Sequence, residues 1–580
     1  KKTKKNKTPK TGTKKSPHDL GMHSGDLNYW ARGDIGASNK GAFCEEPAAW
    51  HEAPLCVGTT RVFSNDPEVD RLEAEKVVIG SIVLEKADVF DLSDPKENNA
   101  LYRLANRLHI ITRDSVIEQQ LLFAPGEEFS KRLVEETERI LRRNTYFYDA
   151  SVTPVNRQDG TVDLQVNTRD VWTLKPGFSF SRSGGENRTL IKLEELNLFG
   201  RGQQMLVARS EDEDRESNLF TFHDRNLGRS WTRLRLQYSD NSDGHWNSLS
   251  VIRPFYKLDA RWTAGTTGTD FDIERRLYQL GEKAAEFRHE REFYSVFGGW
   301  SAGLRNGWVR RYTAGMAYDE NLFSVVPDAT LPPAIPEDRE LVYPYFTFEV
   351  VEDRFETAQN RNQIKRTEDF LTGKRFSATL GWSDESLGAD RDAALYWLSA
   401  SRSYGDLAKS AVLLSADASG RIEDSDAMNA LLSIDARVFN QQSDQRTFAT
   451  TLSATYGNNL DLDNPVELGG DTGLRGYPLR YQSGDSKILL TVEQRYFWNW
   501  YPFRLFRVGG AIFADVGRTW GDDPLGGESL GWLSDVGFGL RLAPTRTGTR
   551  SIIHVDLAFP LNGDDSIDSV QFLIESKKSF

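Results

Sequence analysis

Trp231-Thr232-Arg233-Leu234-Arg235-Leu236-Gln237-Tyr238 decides the fold class of this 580-residue chain. Thr232, Leu234, Leu236 and Tyr238 fall on one face of an extended segment, and Arg233, Arg235 and Gln237 fall on the other. A strand with two arginines in its middle has no place in a sandwich core, where both charges would be stripped of water. It suits a wall with lipid on one side and a water-filled lumen on the other. The same alternation recurs near residues 203–210, 247–255, 290–300, 310–319, 345–352, 375–382, 394–401, 410–417, 429–437 and 447–456. It returns at 487–498, 508–517, 533–542, 550–559 and 568–576. Backbone groups in lipid must be paired internally, so such strands have to close into an antiparallel transmembrane barrel.

The composition agrees with a barrel. No run of 18 residues is free of charge, which excludes a transmembrane helix. Fourteen Trp, 19 Tyr and 32 Phe exclude a disordered chain. A mean hydropathy of -0.53 would suit a soluble protein, but alternation hides a barrel's apolar band from any average. With 85 acidic against 72 basic residues, the chain lacks the basic footprint of a nucleic-acid binder. Tyr496, Phe497, Trp498, Trp500, Tyr501, Phe503 and Phe506 crowd around one turn, as amphipathic rings do where lipid meets water.

Ahead of the barrel region lie two different stretches. Residues 1–15 hold eight lysines and no apolar side chain, the composition of a solvated tail. No apolar h-region opens the sequence, consistent with a leader already removed or never present. Up to residue 74 the pattern stays irregular. Cys44 and Cys56, the two cysteines of the chain, suggest a disulfide in an oxidising compartment. The alternative is a metal site with His51, His18 or His23, which lacks both a C-x-x-C and paired histidine spacing. From Glu75 the periodicity sharpens. Val77, Val78, Ile79, Ile82 and Val83 make a strand-like run. Asp114-Ser115 offers an N-cap before a first helix, and Phe129, Leu133, Ile140 and Leu141 mark a second. Two alternating strands follow around Gln158-Asp159-Gly160. The order β-α-α-β-β describes a small α/β module with an exposed sheet edge. The expected domains are an extension at 1–74, this module at 75–172 and a barrel at 173–580.

These features resemble the BamA/TamA-type superfamily of outer-membrane assembly and translocation barrels, the bacterial surface antigen family of Gram-negative bacteria. The module is similar to a POTRA domain, most closely over Glu118 to Val155, and Asn197-Leu-Phe-Gly-Arg-Gly202 is similar to a short turn early in such barrels. The most specific match is Leu474-Arg475-Gly476-Tyr477, within Leu468 to Pro478. In the family this motif tips an extracellular loop that folds back into the lumen. Glu493 in the next strand, and Phe513-Ala514-Asp515-Val516-Gly517, match its partners. Strand parity supports the pairing independently. If Ile488, Leu490 and Val492 face lipid, then Thr491, Glu493 and Arg495 face the lumen; if Ile512, Ala514 and Val516 face lipid, Asp515 faces the lumen too. One guanidinium can bond both carboxylates, for about 1–3 kcal/mol in a wet lumen. Counting alternating segments gives up to 20 strands, whereas the resemblance implies 16, and 16 is the expectation.

Other motifs carry less. Gly299-Trp-Ser301-Ala-Gly303 matches the serine nucleophile pattern, but it ends an alternating strand with no helix after it. The eight histidines show no H-E-x-x-H spacing, so neither a metal nor another cofactor is expected. Glu211-Asp212-Glu213-Asp214 and Asp522-Asp523 read as solvated loop charge. The resemblance implies a non-enzymatic, monomeric barrel in the lipid of the outer membrane, with its POTRA module in the periplasm. That module would receive an unfolded client by β-augmentation. The client would pass a seam between the first strand, near Pro176–Ser183, and the last, near Ser569–Ser576. There Val570, Phe572 and Ile574 would face lipid, with Phe580 ending the chain. A lipid transporter or a gated channel would need the same lumen and band.

Overall fold

The computed structural model describes residues 67–580, apart from Asp159, Glu528, Thr549, Arg550, Asp565, Ser566, Lys578 and Phe580. The lysine-rich tail, Cys44, Cys56 and Phe580 therefore lie outside the described residues.

The N-terminal module contains helices α1 (Pro67–Ala74), α2 (Ala100–Leu108), α3 (Asp114–Glu118) and α4 (Lys131–Arg142). Its strands are β1 (Val78–Ala87), β2 (Phe147–Gln158) and β3 (Thr161–Asp170). The sheet order is β1-β3-β2, with β1 parallel and β2 antiparallel to the central β3. Apolar residues of β3 alternate inward as Val162, Leu164 and Val166, and they pack on Val134 and Leu141 of α4 and Ile117 of α3. Two helices depart from the sequence expectation. The end of the stretch expected to be irregular forms α1, because Val69 and Leu72 bury into this core. Helix α2 was not expected at all. Its Asn99 cap accepts from the Tyr102 amide, but its leucines point away from the core and so leave no core-facing pattern. Helix α3 starts at Asp114 itself, with Arg113 at the cap position and no side-chain cap.

After Trp172 the chain forms a closed antiparallel barrel of 20 strands among the described residues, from Leu174–Ser183 to Gln571–Lys577. The expectation of 16 gives way to the count of alternating segments. Each alternating strand hydrogen-bonds two wall neighbours, so none can be reassigned to an extracellular hairpin. Roughly 9–11 residues cross a bilayer, yet Trp262–Gln279, Glu282–Arg305 and Trp308–Ser324 run 18, 24 and 17 residues. They extend the wall beyond the membrane band. No described helix is long and apolar enough to cross a membrane. Outward positions carry exposed Phe178, Ile191, Val207, Tyr238, Val296, Phe346, Leu380, Ile512 and Phe538. A continuous apolar surface of this kind on a closed barrel is a lipid-facing band.

Two strand pairs stand off the wall. Val466–Leu468 and Gln482–Gly484 brace the loop at 459–485, and Phe355–Gln359 and Thr367–Leu371 form a hairpin at the opposite end, facing the N-terminal module.

Candidate functional site

The loop at 459–485 folds into the lumen because its apolar residues find a seat there. Leu468, Leu474, Tyr477 and Tyr481 bury together against Leu489 and Leu533 of the wall. This seat delivers Arg475. Its Nε and Nη2 donate to Asp515 Oδ2 and Oδ1 at 2.8 and 2.9 Å, a bidentate pair, and Nη1 donates to Glu493 Oε1 at 2.8 Å. The guanidinium also lies 3.4 Å from the Phe513 ring centroid, and its positive charge favours the ring face. Gly476 donates its amide to Asp535 at 2.9 Å. A Cβ there would come 2.6 Å from the Asp535 Cβ, so the close approach requires glycine. The Tyr477 hydroxyl has the main-chain carbonyls of Ser534 and Asn562 as acceptors for its single hydrogen, at 2.9 and 2.8 Å, and accepts the Ser534 amide. Gly517 gives room for Leu468, whose Cδ2 would lie 3.0 Å from a Cβ.

The expectation of a wet site is corrected. Arg475 is 5 % exposed, Glu493 4 % and Asp515 0 %, with the neighbouring Leu474 and Tyr477 fully buried. A buried, multiply bonded pair contributes little net stability when intact, but losing one partner strands a charge, at about 3–5 kcal/mol.

Parity puts Thr491 and Arg495 in the lumen but does not name their partners: Thr491 donates to Asp515 and the Arg495 Nε to Glu493, both at 2.7 Å. Asp535 has no counterpart in the sequence expectation. Asp535 was open to the same parity argument, since Val536 and Phe538 face outward from its strand. The Glu211–Asp214 run is also corrected. Asp214 is buried, accepts from Tyr278, and pairs with Arg480 of the loop at 3.0 Å. Loop folding turned an apparently solvated charge into a clamp. Ser301 is buried in a wall strand with its hydroxyl on the Arg310 carbonyl. Of the aromatic turn, Trp498, Trp500 and Phe503 are exposed at the barrel rim, while Phe497 points into the lumen.

From the end facing the N-terminal module the hairpin reaches into the same lumen. Ile364 packs on Phe497, Ala511, Ala543 and Ile552, which belong to four wall strands remote from the hairpin's own. Arg361, fully buried, bonds the Gln359 and Leu407 carbonyls and Gln441. Arg495 Nη1 donates to the Arg361 carbonyl at 2.6 Å. The two inserted segments thus meet through Arg495 and Glu493. The N-terminal module sits beneath them, touching turns all around the ring. Thr112 accepts from Asn197 at 2.8 Å, Glu136 from the Leu258 amide at 2.7 Å, and Asp94 pairs with Arg504 at 3.2 Å. Arg142 pairs with Asp369 of the hairpin at 3.4 Å, and Arg546 with Glu97.

At the seam, Phe572 and Val570 are exposed and Ile574 is half-buried. Among the described residues the last strand meets the first through one register pair, Ile574 with Arg182. By contrast, Leu174–Ser183 pairs with its other neighbour at every residue.

Residues 109–169 match the POTRA family, described as a surface antigen variable number repeat. The chain is a POTRA-plus-barrel protein. That is the architecture its resemblance to the BamA/TamA-type superfamily implied. No curated protein matches the sequence. Among solved structures, the POTRA-plus-barrel chain is similar to BamA from Haemophilus ducreyi lacking POTRA domains 1-3. That match has 12 % identity, covers 85 % of this chain and 84 % of that chain, and has a TM-score of 0.39. It is also similar to CdiB from Acinetobacter baumannii (13 %, 86 % and 74 %, TM-score 0.43) and CdiB from Escherichia coli (12 %, 86 % and 76 %, TM-score 0.44).

Proposed function

We propose that this POTRA-plus-barrel protein is a non-enzymatic outer-membrane assembly or translocation factor, acting as a monomer with its POTRA domain in the periplasm. The observation that carries the reading is the seam, where among the described residues one register pair joins the first and last strands. Opening the wall there breaks far less backbone pairing than opening it anywhere else. The freed strand edges would template an incoming strand. The outer edge of β2 supports a delivery route by β-augmentation, since β2 ends the POTRA sheet. Arg366 of the hairpin bonds the Phe147 and Tyr148 carbonyls at the start of that edge, so a client extending along β2 competes with the hairpin. The Arg475 loop would hold the lumen closed while the seam opens.

Comparison of outer-membrane and secreted proteomes with and without the protein tests this function. Loss of one or a few specific proteins is the expected result. An unchanged proteome overturns it; altered outer-leaflet lipid would then point to lipid transport, and high steady conductance to a channel.

A further inference from the structure

Helix α2 presents three distinct faces. Tyr102 is buried and stacks on Phe90, 4.0 Å between ring centroids, and Asn106 bonds the Phe90 main chain on the same side. Arg103 and Arg107 point to solvent. The third face is Leu101, Leu104 and Leu108, continued by Ile110, and these are 67, 50, 63 and 53 % exposed. Spacing of i, i+3 and i+7 puts the three leucines in one stripe. Among the described residues nothing covers it. In water such a stripe is a cost with no return, and its clustering separates it from scattered surface leucines.

Its position says what covers it. The Tyr102 hydroxyl bonds the carbonyl of Phe503 in the aromatic rim turn, and Leu505 of that turn packs on the Val89, Phe90 and Tyr102 cluster. Trp500 and Phe503 there are 61 and 79 % exposed. The helix is therefore fastened to the barrel where the lipid-facing band meets the periplasm. We propose that α2 is an interfacial membrane helix, its leucine stripe sunk into the periplasmic leaflet. Arg103 and Arg107, on the polar side, lie at headgroup level, where an anionic phospholipid meets them. A short helix with an apolar stripe and basic flank is the pattern of monotopic anchoring, and Trp500 and Phe503 extend the same contact. The anchor keeps the POTRA domain seated at one side of the barrel, so that undocking is a pivot about α2.

The inference rests on the barrel lying in a membrane, whatever it carries, and the test separates the two. In full-length protein with Cys44→Ser and Cys56→Ser, an environment-sensitive fluorophore is attached at Leu104→Cys, at Arg103→Cys, or at Phe346→Cys on the barrel wall. Each is reconstituted in nanodiscs of phosphatidylethanolamine and phosphatidylglycerol. Position 104 should show severalfold weaker quenching by aqueous iodide than position 103, and should be quenched by shallow doxyl lipids, as position 346 is by deeper ones. Iodide quenching of 104 equal to that of 103, with 346 protected, overturns the anchor. Loss of protection at 346 as well overturns the membrane reading itself. Protection of 104 that follows protein concentration instead of lipid assigns the stripe to a second copy and also overturns the proposal. Leu101→Ser with Leu104→Ser and Leu108→Ser, all at exposed positions, should abolish the doxyl quenching of a probe at Ile110→Cys.

Discussion

Asp515 and Asp535 stand directly opposite each other on adjacent barrel strands, and the loop motif engages both, Arg475 binding one and the Gly476 amide the other. Two facing carboxylates repel, so the guanidinium and amide do more than decorate the wall. Arg475→Ala should leave Asp515 buried without its cation, while Glu493 keeps Arg495, unseating the loop at a cost of about 3–5 kcal/mol. The wall ladders are untouched, so the barrel should keep its heat-modifiable mobility on gels while proteolysis within 459–485 accelerates and client levels fall. Arg475→Ala with Asp515→Asn, which neutralises the stranded carboxylate, should recover part of the protease resistance. Normal client handling at normal barrel levels would remove the loop from the mechanism.

Gly476→Ala makes a separate claim, about space instead of charge. The added methyl meets Asp535 Cβ at 2.6 Å and the Pro560 nitrogen at 3.1 Å, an overpacked contact worth about 1–3 kcal/mol. Loop protection should drop, and Asp535→Gly in the same chain should restore it in part. Asp535→Gly alone should cost less than Arg475→Ala, since it removes an acceptor and strands no cation.

The hairpin at 355–371 inserts into the lumen with Ile364 packed on Phe497, Ala511, Ala543 and Ile552, and Arg495 links it to Glu493 and the loop. Replacing residues 355–371 by a short Gly-Ser linker should raise single-channel conductance in planar bilayers severalfold. Asp369→Asn, which removes the ion pair to Arg142, should raise the frequency of openings without changing their size. Equal conductance with and without the hairpin would show that the loop alone blocks the pore.

How much of this was legible follows from what imposes each feature. Alternation along the wall is forced by lipid on one face and water on the other, so the orientations of Glu493 and Asp515 could be read from Ile488, Leu490 and Ile512. Asp535 obeyed the same rule but belonged to no motif and was passed over. The inward hairpin was hidden because Asn360, Arg361, Asn362 and Gln363 look like any polar turn. Only the arrangement of Leu407, Gln441 and Arg495 around Arg361 makes that polarity structural. Helix α2 was hidden for the opposite reason, its leucines answering to a surface outside the protein core. Strand number follows the chain's own alternation, 20 among the described residues, while 16 is a norm of the resembled family that these residues do not impose.

Asp170 offers a pH test at the junction of the two domains. Burial is the main cause that pushes its carboxyl up to about 6, against hydrogen bonds from the Thr112 amide and hydroxyl, with His109 and Asp88 nearby. A folded-state value above the unfolded one means that protonation favours the native state. This contribution is full below about pH 4 and is lost as pH rises through 6. The POTRA domain should therefore resist denaturant better at pH 5 than at pH 7 as far as this group decides, by about 1–2 kcal/mol. Asp170→Asn should flatten that slope. Because Thr112 also accepts from Asn197 of the barrel, hydrogen exchange at residues 196–202 should slow in parallel. A slope unchanged by the substitution would place the titration elsewhere.

The seam gives the most direct test of opening. Arg182→Cys with Ile574→Cys, in a chain carrying Cys44→Ser and Cys56→Ser, places a disulfide at the register pair that joins the first and last strands among the described residues. Antiparallel partners are close enough for a bridge when they are a directly opposed pair. Oxidised, the barrel should remain folded and correctly inserted, because every other ladder is intact. Client insertion should stop in the oxidised form and resume on reduction. The same lock between Leu190 and Ser179, partners within the fully paired first hairpin, should have no effect in either state. If client handling survives oxidation at the seam, the client passes through the lumen, and Arg475 and the hairpin become the gate to examine.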